Sequence, residues 1–313
     1  MKIYLLGSTG FVGAWIDKYF KEKGYDLQTL RFDVTDLEEV RKGLQGVEDA
    51  VVINATGKTG KPNVDWCEDH RLETTKVNVN GAINAAEVAS GQGNYVVQIG
   101  SGCIFQHGAD PDLRICSDVT DSQTRSKLRN PDHSDDIRRS VLLHEFTEDD
   151  EPNFFGSFYS QTKAVCESAL KEIPNVCILR IRMPLQGSPN PKNLLDKLLQ
   201  YDKILNVPNS VTVMEDFMPF LERVIEKKVV GVLNAVNPGV YEHKDLLELY
   251  REKIDSGRKF EYISLEEFEG MTKARRSNCV LSTKKCEEFG IAMPAAQESL
   301  PKLVENYRRT VLN

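Results

Sequence analysis

The stretch KIYLLGSTGFVG at residues 2–13 decides the fold class of this chain. Lys2–Leu6 is a short apolar run that is typical of a buried strand. Residues 11–23 then carry apolar side chains at helical spacing until Gly24 ends the pattern. The chain is therefore predicted to open with a strand, a glycine-rich turn and a helix.

The turn has the spacing GxxGxxG, set by Gly7, Gly10 and Gly13. The first two glycines let the backbone approach a pyrophosphate, and the third lets the helix pack against the strand. The helix N-terminus adds amide donors and the positive end of its dipole. An ordinary tight turn is the alternative, but the place between strand and helix favours a dinucleotide-binding loop. The predicted loop consists of Gly7, Ser8, Thr9, Gly10, Phe11, Val12 and Gly13.

The rest of the chain continues to alternate strands with helices. Apolar runs recur at residues 50–55, 95–99 and 176–181, and helical stretches at 75–89 and 160–171 separate them. This βαβ alternation is typical of a parallel sheet with helices on both faces. We predict an α/β fold, a Rossmann-like doubly wound parallel sheet with a smaller C-terminal substrate lobe.

The pattern changes near residue 190. Residues 1–189 are predicted to form the NAD(P)-binding Rossmann domain, and residues 190–313 a smaller, mostly helical substrate-binding lobe. Helices are predicted in that lobe at residues 193–201, 216–226 and 243–251. A polar, charge-dense stretch near 108–145 has little periodicity and is predicted to be a surface insertion.

Composition excludes several classes of protein. With 40 Lys and Arg against 47 Asp and Glu among 313 residues, the net charge is -7, so no broad basic surface for nucleic acid is expected. The seven cysteines form no CxxC pair and no His-containing metal spacing, which predicts no metal site and a reducing compartment. No apolar run approaches the ~18 residues of a membrane span. The start shows no signal-peptide pattern, so we expect a cytoplasmic protein.

Tyr159 and Lys163 form a YxxxK pattern in the stretch YSQTK. Residues four apart on a helix share a face, so the Lys163 ammonium is expected beside the Tyr159 phenol, where it would stabilise the ionised form. An ordinary tyrosine has a pKa of about 10 and needs such help to exchange protons near neutral pH. The pattern is common by chance, but here it follows an apolar strand and shares the chain with the glycine turn.

Ser101 stands at the end of the predicted strand YVVQIG, where its hydroxyl would polarise a substrate carbonyl. Cys103 lies two residues later, and side chains two apart in an extended segment point the same way. We therefore expect the Cys103 thiol in the same cleft as Ser101. The alternative is that Cys103 is a small buried apolar residue, as most cysteines are.

The segment LRFDVTD is expected to pass the adenine end of a dinucleotide. Asp33 and Val34 would lie beside the adenine, and Arg31 just before them would face a 2′-phosphate on the ribose. A solvated surface charge is an equal alternative for Arg31. NADPH is therefore the expected cofactor, with NADH as the alternative.

Together these motifs resemble those of the extended short-chain dehydrogenase/reductases, and further stretches resemble one family related to them. That family is the UDP-4-keto-6-deoxy-glucose 3,5-epimerase/4-reductases, which make UDP-rhamnose and are related to dTDP-4-dehydrorhamnose reductase. The similar stretches cover nearly the whole chain and are GSTGFVG, INATGKTGKPNVDWCEDH, KVNVNGAINAAEVA, GSGCIF, EDDEPNFFGSFYSQTKA, NVCILRIRMPL, NVPNSVTV, NPGV and RRSN.

The resemblance implies roles for particular side chains. The catalytic set becomes Ser101, Tyr159 and Lys163, and the epimerase step draws on Cys103 and on Lys197. Without the resemblance, Lys197 would be read as a solvated lysine on an amphipathic helix. The cofactor site is completed by Ala55, Thr56, Gly57, Asn78 and Arg182. Substrate contacts are expected at Asn63, Asp65, Trp66 and Cys67 on the sugar side, and at Asn209, Ser210, Arg276 and Asn278 near the nucleotide diphosphate.

The function that this resemblance implies is conversion of a UDP-linked 4-keto-6-deoxy-glucose to the nucleotide-linked L-rhamnose. The partners would be the nucleotide sugar, a separate 4,6-dehydratase that supplies it and, by the family's tendency, a second copy of the chain. One alternative is a 4-reductase, or an epimerase or dehydratase of another nucleotide sugar. Another is a non-catalytic NADP-binding regulatory subunit, although such a protein has no need of Ser101, Tyr159 and Lys163 together.

Overall fold

Strands and helices alternate along the chain in the computed structural model, which describes residues 1–107 and 144–312. The strands are β1 (Lys2–Leu6), β2 (Asp26–Leu30), β3 (Val51–Asn54), β4 (Tyr95–Ser101), β5 (Glu145–Phe146), β6 (Val176–Ile181), β7 (Pro184–Leu185), β8 (Lys203–Leu205), β9 (Asn209–Val213), β10 (Gly231–Asn234), β11 (Asn237–Tyr241), β12 (Glu261–Ile263) and β13 (Val280–Leu281).

The helices lie between these strands and after them. They are α1 (Phe11–Glu22), α2 (Leu37–Gly43), α3 (Trp66–Asp69), α4 (Arg71–Thr75), α5 (Gly81–Gly91), α6 (Phe158–Leu170), α7 (Leu194–Leu198), α8 (Met214–Lys227), α9 (His243–Lys253), α10 (Leu265–Phe268), α11 (Lys284–Glu288) and α12 (Ala296–Leu312). A π-helical turn at Lys76–Asn80 joins α4 to α5.

A six-stranded parallel sheet positions the site, in the order β10-β6-β4-β3-β1-β2. From β1 the chain first moves outward to β2 and then crosses over to β3 on the other side of β1. This reversal creates a crevice at the carboxyl ends of β1 and β3, which is where open α/β sheets bind their ligands. The predicted α/β, doubly wound fold is confirmed.

Two hydrophobic layers cover the faces of this sheet. On one face, Ile16 and Phe20 of α1 pack with Phe217 and Leu221 of α8. On the other face, α5 approaches closely because its buried side chains are small. They are Ala82, Ala85, Ala86 and Ala89. Each helix therefore presents a continuous apolar stripe to the strands, as its sequence periodicity predicts.

A third apolar cluster lies in the C-terminal part of the chain. The three-stranded sheet β11-β9-β7 packs against α7, α9 and α12, with Leu195, Leu246 and Leu303 among its buried residues. Between residues 190 and 312, all of which the structure describes, the chain also forms β8 to β13 besides the predicted helices. One of these strands, β10, belongs to the main sheet. The boundary between residues 189 and 190 stays a prediction.

The sequence pattern did not single out β2 or β10. In β2 only Leu27 is buried, because this edge strand has little apolar periodicity, and β10 is four residues long. The helix expected at 75–89 begins earlier, at Arg71, because α4 and the π-helical turn precede α5. Most of the stretch near 108–145, predicted to be a charged insertion, lies outside the described residues.

Arg180 connects several of these elements at the end of β6. Its side chain is fully buried, and its Nε and Nη2 atoms donate to the two carboxylate oxygens of Glu167 in α6 at 2.9 and 2.6 Å. Nη1 donates to the Thr147 carbonyl at 3.0 Å, and the guanidinium lies over the Phe105 ring at 4.8 Å. A bidentate pair of this kind fixes orientation as well as distance. It therefore fixes α6 against the sheet.

We predict that Glu167→Gln lowers the free energy of unfolding by about 3–5 kcal/mol, because it leaves the Arg180 charge buried without its partner. Urea unfolding followed by circular dichroism measures the change. Glu38→Gln is the matched control, since Glu38 pairs with Arg41 on the exposed surface of α2, and its unfolding midpoint should stay unchanged. Equal midpoints for the two variants would contradict the role assigned to this pair.

Candidate active site

The glycine turn after β1 is held by close backbone packing. Gly7 has φ +81°, and a Cβ there would lie 2.7 Å from Ala55 and Thr56 backbone atoms. A Cβ at Gly13 would overlap the Gly7 carbonyl oxygen. At Gly10 the nearest atom to a Cβ is the same oxygen at 3.2 Å, and the backbone φ is ordinary. The fold itself therefore requires Gly7 and Gly13, whereas Gly10 leaves room for a ligand at the start of α1.

The loop after β3, which contains Ala55, Thr56 and Gly57, lies against this turn. The Ala55 amide donates to the Leu6 carbonyl at 3.0 Å. Asn78, in the π-helical turn, accepts from the Lys58 amide at 2.7 Å and donates to the Lys58 carbonyl at 3.0 Å. Its amide group also lies 3.3 Å from Thr162 Oγ1 in α6. In the structure Asn78 thus holds the loop and connects it to the YxxxK helix.

The residues expected near the adenine lie at the carboxyl end of β2. Arg31 is exposed. The Asp33 carboxylate accepts from the Thr35 amide at 2.9 Å, so it caps its own turn. Val34 is buried and packs where a Cβ at Gly81 would stand. Arg31 thus carries the exposed positive charge in this segment.

Tyr159 and Lys163 lie in the first turns of α6, as the YxxxK pattern predicted. The N-terminus of this helix is capped by Ser157, whose Oγ accepts from the Ser160 amide at 3.1 Å. Glu68 adds a second cap by accepting from the Phe158 amide at 2.6 Å. The Lys163 ammonium donates to the Ile99 carbonyl of β4 at 3.4 Å. The two caps and this contact fix the helix start beside the end of β4.

Ser101 and Cys103 lie together, although not for the reason expected. β4 ends at Ser101, and Cys103 stands in the turn that follows, so strand alternation does not place its side chain. Instead the Cys103 amide donates to Ser101 Oγ at 3.2 Å and folds the turn back. The Cys103 thiol is partly exposed, whereas Cys67, Cys166, Cys177, Cys279 and Cys286 are buried. The expectation of a shared cleft is consistent with this geometry.

Burial sets the protonation state of Tyr159, which is only 9% exposed. Desolvation raises the pKa of the Tyr159 phenol well above its ordinary value, and the neighbouring Cys103 adds to this effect. Hydrogen bonding with Ser101 and the charge of Arg182 act in the opposite direction but do not outweigh burial. The expected lowering by Lys163 is therefore not what these side chains produce. At neutral pH the phenol keeps its proton and is a potential proton donor.

Arg182, predicted to take part in cofactor binding, lies beside Cys103. Its Nη1 atom donates to Cys103 Sγ at 2.7 Å. Nη2 donates to Asn209 Oδ1 and to the Ser277 carbonyl, both at 2.6 Å. The guanidinium therefore connects the turn after β4 to the C-terminal part of the chain. Sequence analysis did not predict these contacts. Its only signal for them was a second arginine, two residues after Arg180 in an apolar stretch.

The stretches predicted to contact the nucleotide diphosphate are more buried than expected. Asn209 and Ser210 are 1% and 0% exposed. Asn209 Oδ1 also accepts from the Cys279 amide at 3.2 Å, and Ser210 Oγ accepts from the Leu281 amide at 2.9 Å. Both side chains thus connect β9 to the segment that contains β13. Asn278 Oδ1 is buried without a hydrogen-bond partner among residues 1–107 and 144–312.

Two stretches predicted to face the substrate meet through an ion pair. Arg276 Nη1 lies 2.9 Å from Asp65 Oδ1, which also accepts from the Ala274 amide at 3.1 Å. Asn63 stabilises this turn by accepting from the Asp65 amide at 2.9 Å. Trp66 is stacked on the His70 ring at 3.9 Å. Cys67 is buried, and desolvation raises its thiol pKa. The structure thus joins sequence stretches that are far apart along the chain.

Lys197 lies half-buried in α7. Burial lowers the pKa of its ammonium, and the charge of Lys192 lowers it further. Within residues 1–107 and 144–312 no carboxylate lies within ion-pairing distance of its ammonium. Lys192 itself, which sequence analysis did not consider, donates to the Thr9 carbonyl of the glycine turn at 3.4 Å. Lys197 is therefore not the fully solvated lysine that its amphipathic helix alone would suggest.

The described part of the chain holds no group of three or more His, Cys, Asp or Glu side chains that is arranged to bind a metal ion. Among the described helices, none is both long and apolar enough to cross a membrane.

The chain is similar to a known protein family and to several known proteins. A family model for the RmlD substrate binding domain matches residues 1–122. A bifunctional dTDP-4-dehydrorhamnose 3,5-epimerase/dTDP-4-dehydrorhamnose reductase from Arabidopsis thaliana is 33% identical over 301 residues, which covers 96% of this chain and 91% of that protein. A trifunctional UDP-glucose 4,6-dehydratase/UDP-4-keto-6-deoxy-D-glucose 3,5-epimerase/UDP-4-keto-L-rhamnose-reductase from the same plant is 33% identical over 303 residues. The chain covers 41% of the length of that larger protein.

A solved structure shows the same architecture over the full length. The crystal structure of a UDP-rhamnose synthase from Acanthamoeba polyphaga mimivirus has a TM-score of 0.82 at 26% identity and covers 98% of this chain and 99% of its own. The coverage of the bifunctional plant enzyme is nearly complete in both directions. The chain therefore belongs to the family of the bifunctional dTDP-4-dehydrorhamnose 3,5-epimerase/dTDP-4-dehydrorhamnose reductases.

Proposed function

We propose that this chain converts a nucleotide-linked 4-keto-6-deoxy-glucose into nucleotide-linked L-rhamnose by 3,5-epimerisation and NADPH-dependent 4-reduction. The observation that carries the proposal is the contact between Ser101 and Cys103 beside the buried Tyr159. This contact supports one shared site for carbonyl polarisation, proton transfer at carbon and proton transfer at oxygen. The names of the plant and viral relatives support UDP or dTDP as the nucleotide, and we propose the UDP sugar.

The glycine turn fits a dinucleotide. Gly10 leaves room for a phosphate, and no side chain caps the amides at the start of α1. Those amides and the helix dipole would hold the pyrophosphate, and Arg31 would favour a 2′-phosphate on the ribose. Bound NADPH supplies the hydride for C4. Lys163, at the start of α6, would hold the nicotinamide ribose.

The first reaction is proton exchange on the sugar ring. Protons at C3 and C5 are acidic because the enolate spreads its charge onto the C4 oxygen, where Ser101 and Tyr159 would donate hydrogen bonds. Cys103 and Lys197 are the proposed proton carriers at the ring carbons. The lowered pKa of Lys197 supports this role, since a larger fraction of the amine is neutral near pH 7.

The second reaction is reduction of the C4 ketone. As the oxygen at C4 gains charge, Tyr159 would donate its phenolic proton to it. The raised pKa of Tyr159 supports this direction of transfer, because the phenol enters the reaction protonated. A reductase alone and an enzyme for another nucleotide sugar remain the alternative activities. The presence of Ser101, Tyr159 and Lys163 together favours an enzyme with one of these activities over a non-catalytic NADP-binding subunit.

The proposal is tested by incubating the purified chain with UDP-4-keto-6-deoxy-glucose and NADPH and identifying the sugar by NMR. We expect UDP-L-rhamnose, with inversion at C3 and C5. A product reduced at C4 but not inverted would indicate a reductase alone. No NADPH oxidation with either the UDP or the dTDP sugar would refute the enzyme assignment. The proposed supply by a 4,6-dehydratase is tested by replacing the keto sugar with UDP-glucose, which should not react.

We predict that Gly10→Val weakens NADPH binding about tenfold or more, the effect of losing 1.4 kcal/mol of affinity, because its side chain enters the proposed phosphate site. Fluorescence titration with NADPH measures the dissociation constant. Gly91→Val, which meets open space at the end of α5, is the matched control and should bind normally. Normal affinity in a folded Gly10→Val variant would contradict this cofactor site.

We predict that Tyr159→Phe slows reduction by ~10²–10⁴-fold, because it removes the proton donor for the C4 oxygen. Lys163→Met should cause a loss of similar size by removing the ammonium beside the nicotinamide ribose. NADPH oxidation with the keto sugar measures both, and circular dichroism confirms that the variants fold. Reduction by Tyr159→Phe at the wild-type rate would rule out its role.

We predict that Cys103→Ala separates the two activities. In deuterium oxide the wild type should incorporate deuterium at C3 and C5 of the keto sugar, and the variant should lose incorporation at one or both carbons. Lys197→Ala should behave similarly. Cys166→Ala, which changes a buried cysteine of α6 in the apolar cluster with Leu170 and Val176, is the control and should exchange normally. Unchanged exchange in Cys103→Ala would make the thiol a packing residue.

A further inference from the structure

Arg182 carries a buried charge with an unusual set of partners. The residue is 3% exposed, and none of its ion-pairing atoms meets a carboxylate among residues 1–107 and 144–312. Its Nη atoms donate to Cys103 Sγ, Asn209 Oδ1 and the Ser277 carbonyl, while Nε has no partner in those ranges. A buried guanidinium normally requires a counter-charge.

Only one of these partners can supply that charge. An amide oxygen and a backbone carbonyl accept hydrogen bonds but remain neutral, whereas the Cys103 sulfur can lose a proton. Nη1 lies 2.7 Å from Sγ, so the two side chains are in direct contact. Burial lowers the pKa of the Arg182 guanidinium, but nearby Cys103, Cys279 and Tyr159 reverse the direction and raise it. Among the hydrogen-bond partners of Arg182, Cys103 is thus the one whose ionisation can balance the buried positive charge.

Cys103 is also partly accessible to solvent. Cys103 is the partly exposed cysteine of the described set, and its turn is fixed by the amide contact to Ser101 Oγ at 3.2 Å. The thiol is therefore in contact with the guanidinium, while part of the residue stays accessible to solvent. A substrate phosphate is a poor alternative partner for Arg182, because both Nη atoms are engaged and the side chain is almost completely buried.

We infer that Arg182 is a positioning residue that holds Cys103 as a thiolate, so that Cys103 acts as the base in epimerisation. This inference rests on the proposed function. The sulfur takes a proton from the ring carbon next to C4, and the electron pair of the C–H bond forms the enolate. Negative charge thereby moves from sulfur to the C4 oxygen beside Ser101 and Tyr159. The Lys197 ammonium, the second proton carrier proposed above, donates a proton to the opposite face of that carbon and becomes neutral, and proton exchange with water restores both side chains.

The first test follows alkylation of Cys103 by iodoacetamide between pH 5 and pH 10, with peptide mass spectrometry as the readout and no substrate present. A Cys116→Ser background removes the cysteine that lies outside the described residues. An ordinary cysteine thiol has a pKa of about 8.5, and a thiol beside an arginine is ionised at lower pH. We expect the wild-type profile to have its midpoint below ~8.5. A midpoint at or above that value overturns the inference.

Variants of Arg182 separate charge from structure. Arg182→Met should move the midpoint upward and slow alkylation at pH 7 by about tenfold or more. Arg182→Lys keeps a positive charge and should restore part of the reactivity. Thr212→Val is the matched control, because Thr212 Oγ1 accepts from the Arg182 amide at 3.0 Å without touching the guanidinium. An upward shift of equal size in Thr212→Val would mean that loosening of the β6–β9 junction, and not the charge, is responsible.

The second test measures deuterium exchange at C3 and C5 of the keto sugar by the same variants. Arg182→Met should exchange about tenfold more slowly at pH 7 and recover as the pH rises, whereas a purely structural defect would not recover. If Arg182→Met does not fold, Arg182→Lys and the wild-type alkylation profile still decide. A pH-independent loss overturns the inference. Absence of exchange in the wild type, with an arginine-dependent alkylation profile, would instead refute the proposed function and leave the pairing intact.

Discussion

The buried pair between Arg180 and Glu167 is the interaction on which the candidate site depends. A charge without solvent is costly, so it persists only where several hydrogen bonds satisfy it, and here the guanidinium is bound by carboxylate and carbonyl oxygens and covered by an aromatic ring. Because Glu167 lies on the same helix as Tyr159 and Lys163, the pair fixes where the phenol and the ammonium meet the end of β4.

The next arginine, just after the end of β6, makes different contacts. Arg180 lies within β6, whereas Arg182 stands just after the strand ends at Ile181. Arg180 is directed to the YxxxK helix, whereas Arg182 reaches the turn after β4 and the C-terminal part of the chain. One short strand end thus aligns the helix that carries Tyr159 and the turn that carries Cys103.

Burial then assigns different protonation states to the groups around the cleft. Removing water disfavours the charged form of any group, so it raises the pKa of an acid and lowers that of an ammonium. The Tyr159 phenol keeps its proton for this reason, and the Lys197 ammonium loses its proton more readily. The same physical effect therefore keeps the proton on one group and loosens it on another, which suits the opposite roles that we propose for the two side chains.

The sequence by itself determined the elements whose signals are local. Apolar periodicity and the glycine spacing predicted the parallel sheet and the first turn, and the YxxxK pattern placed Tyr159 at a helix start, because neighbours along the chain decide these features. Only the tertiary structure decided that Arg182 faces Cys103, that Asn209 is buried, and that Asp65 meets Arg276 across 211 positions of sequence. Such contacts depend on how strand ends and loops close over one another in space, and no periodicity along the chain records that closure.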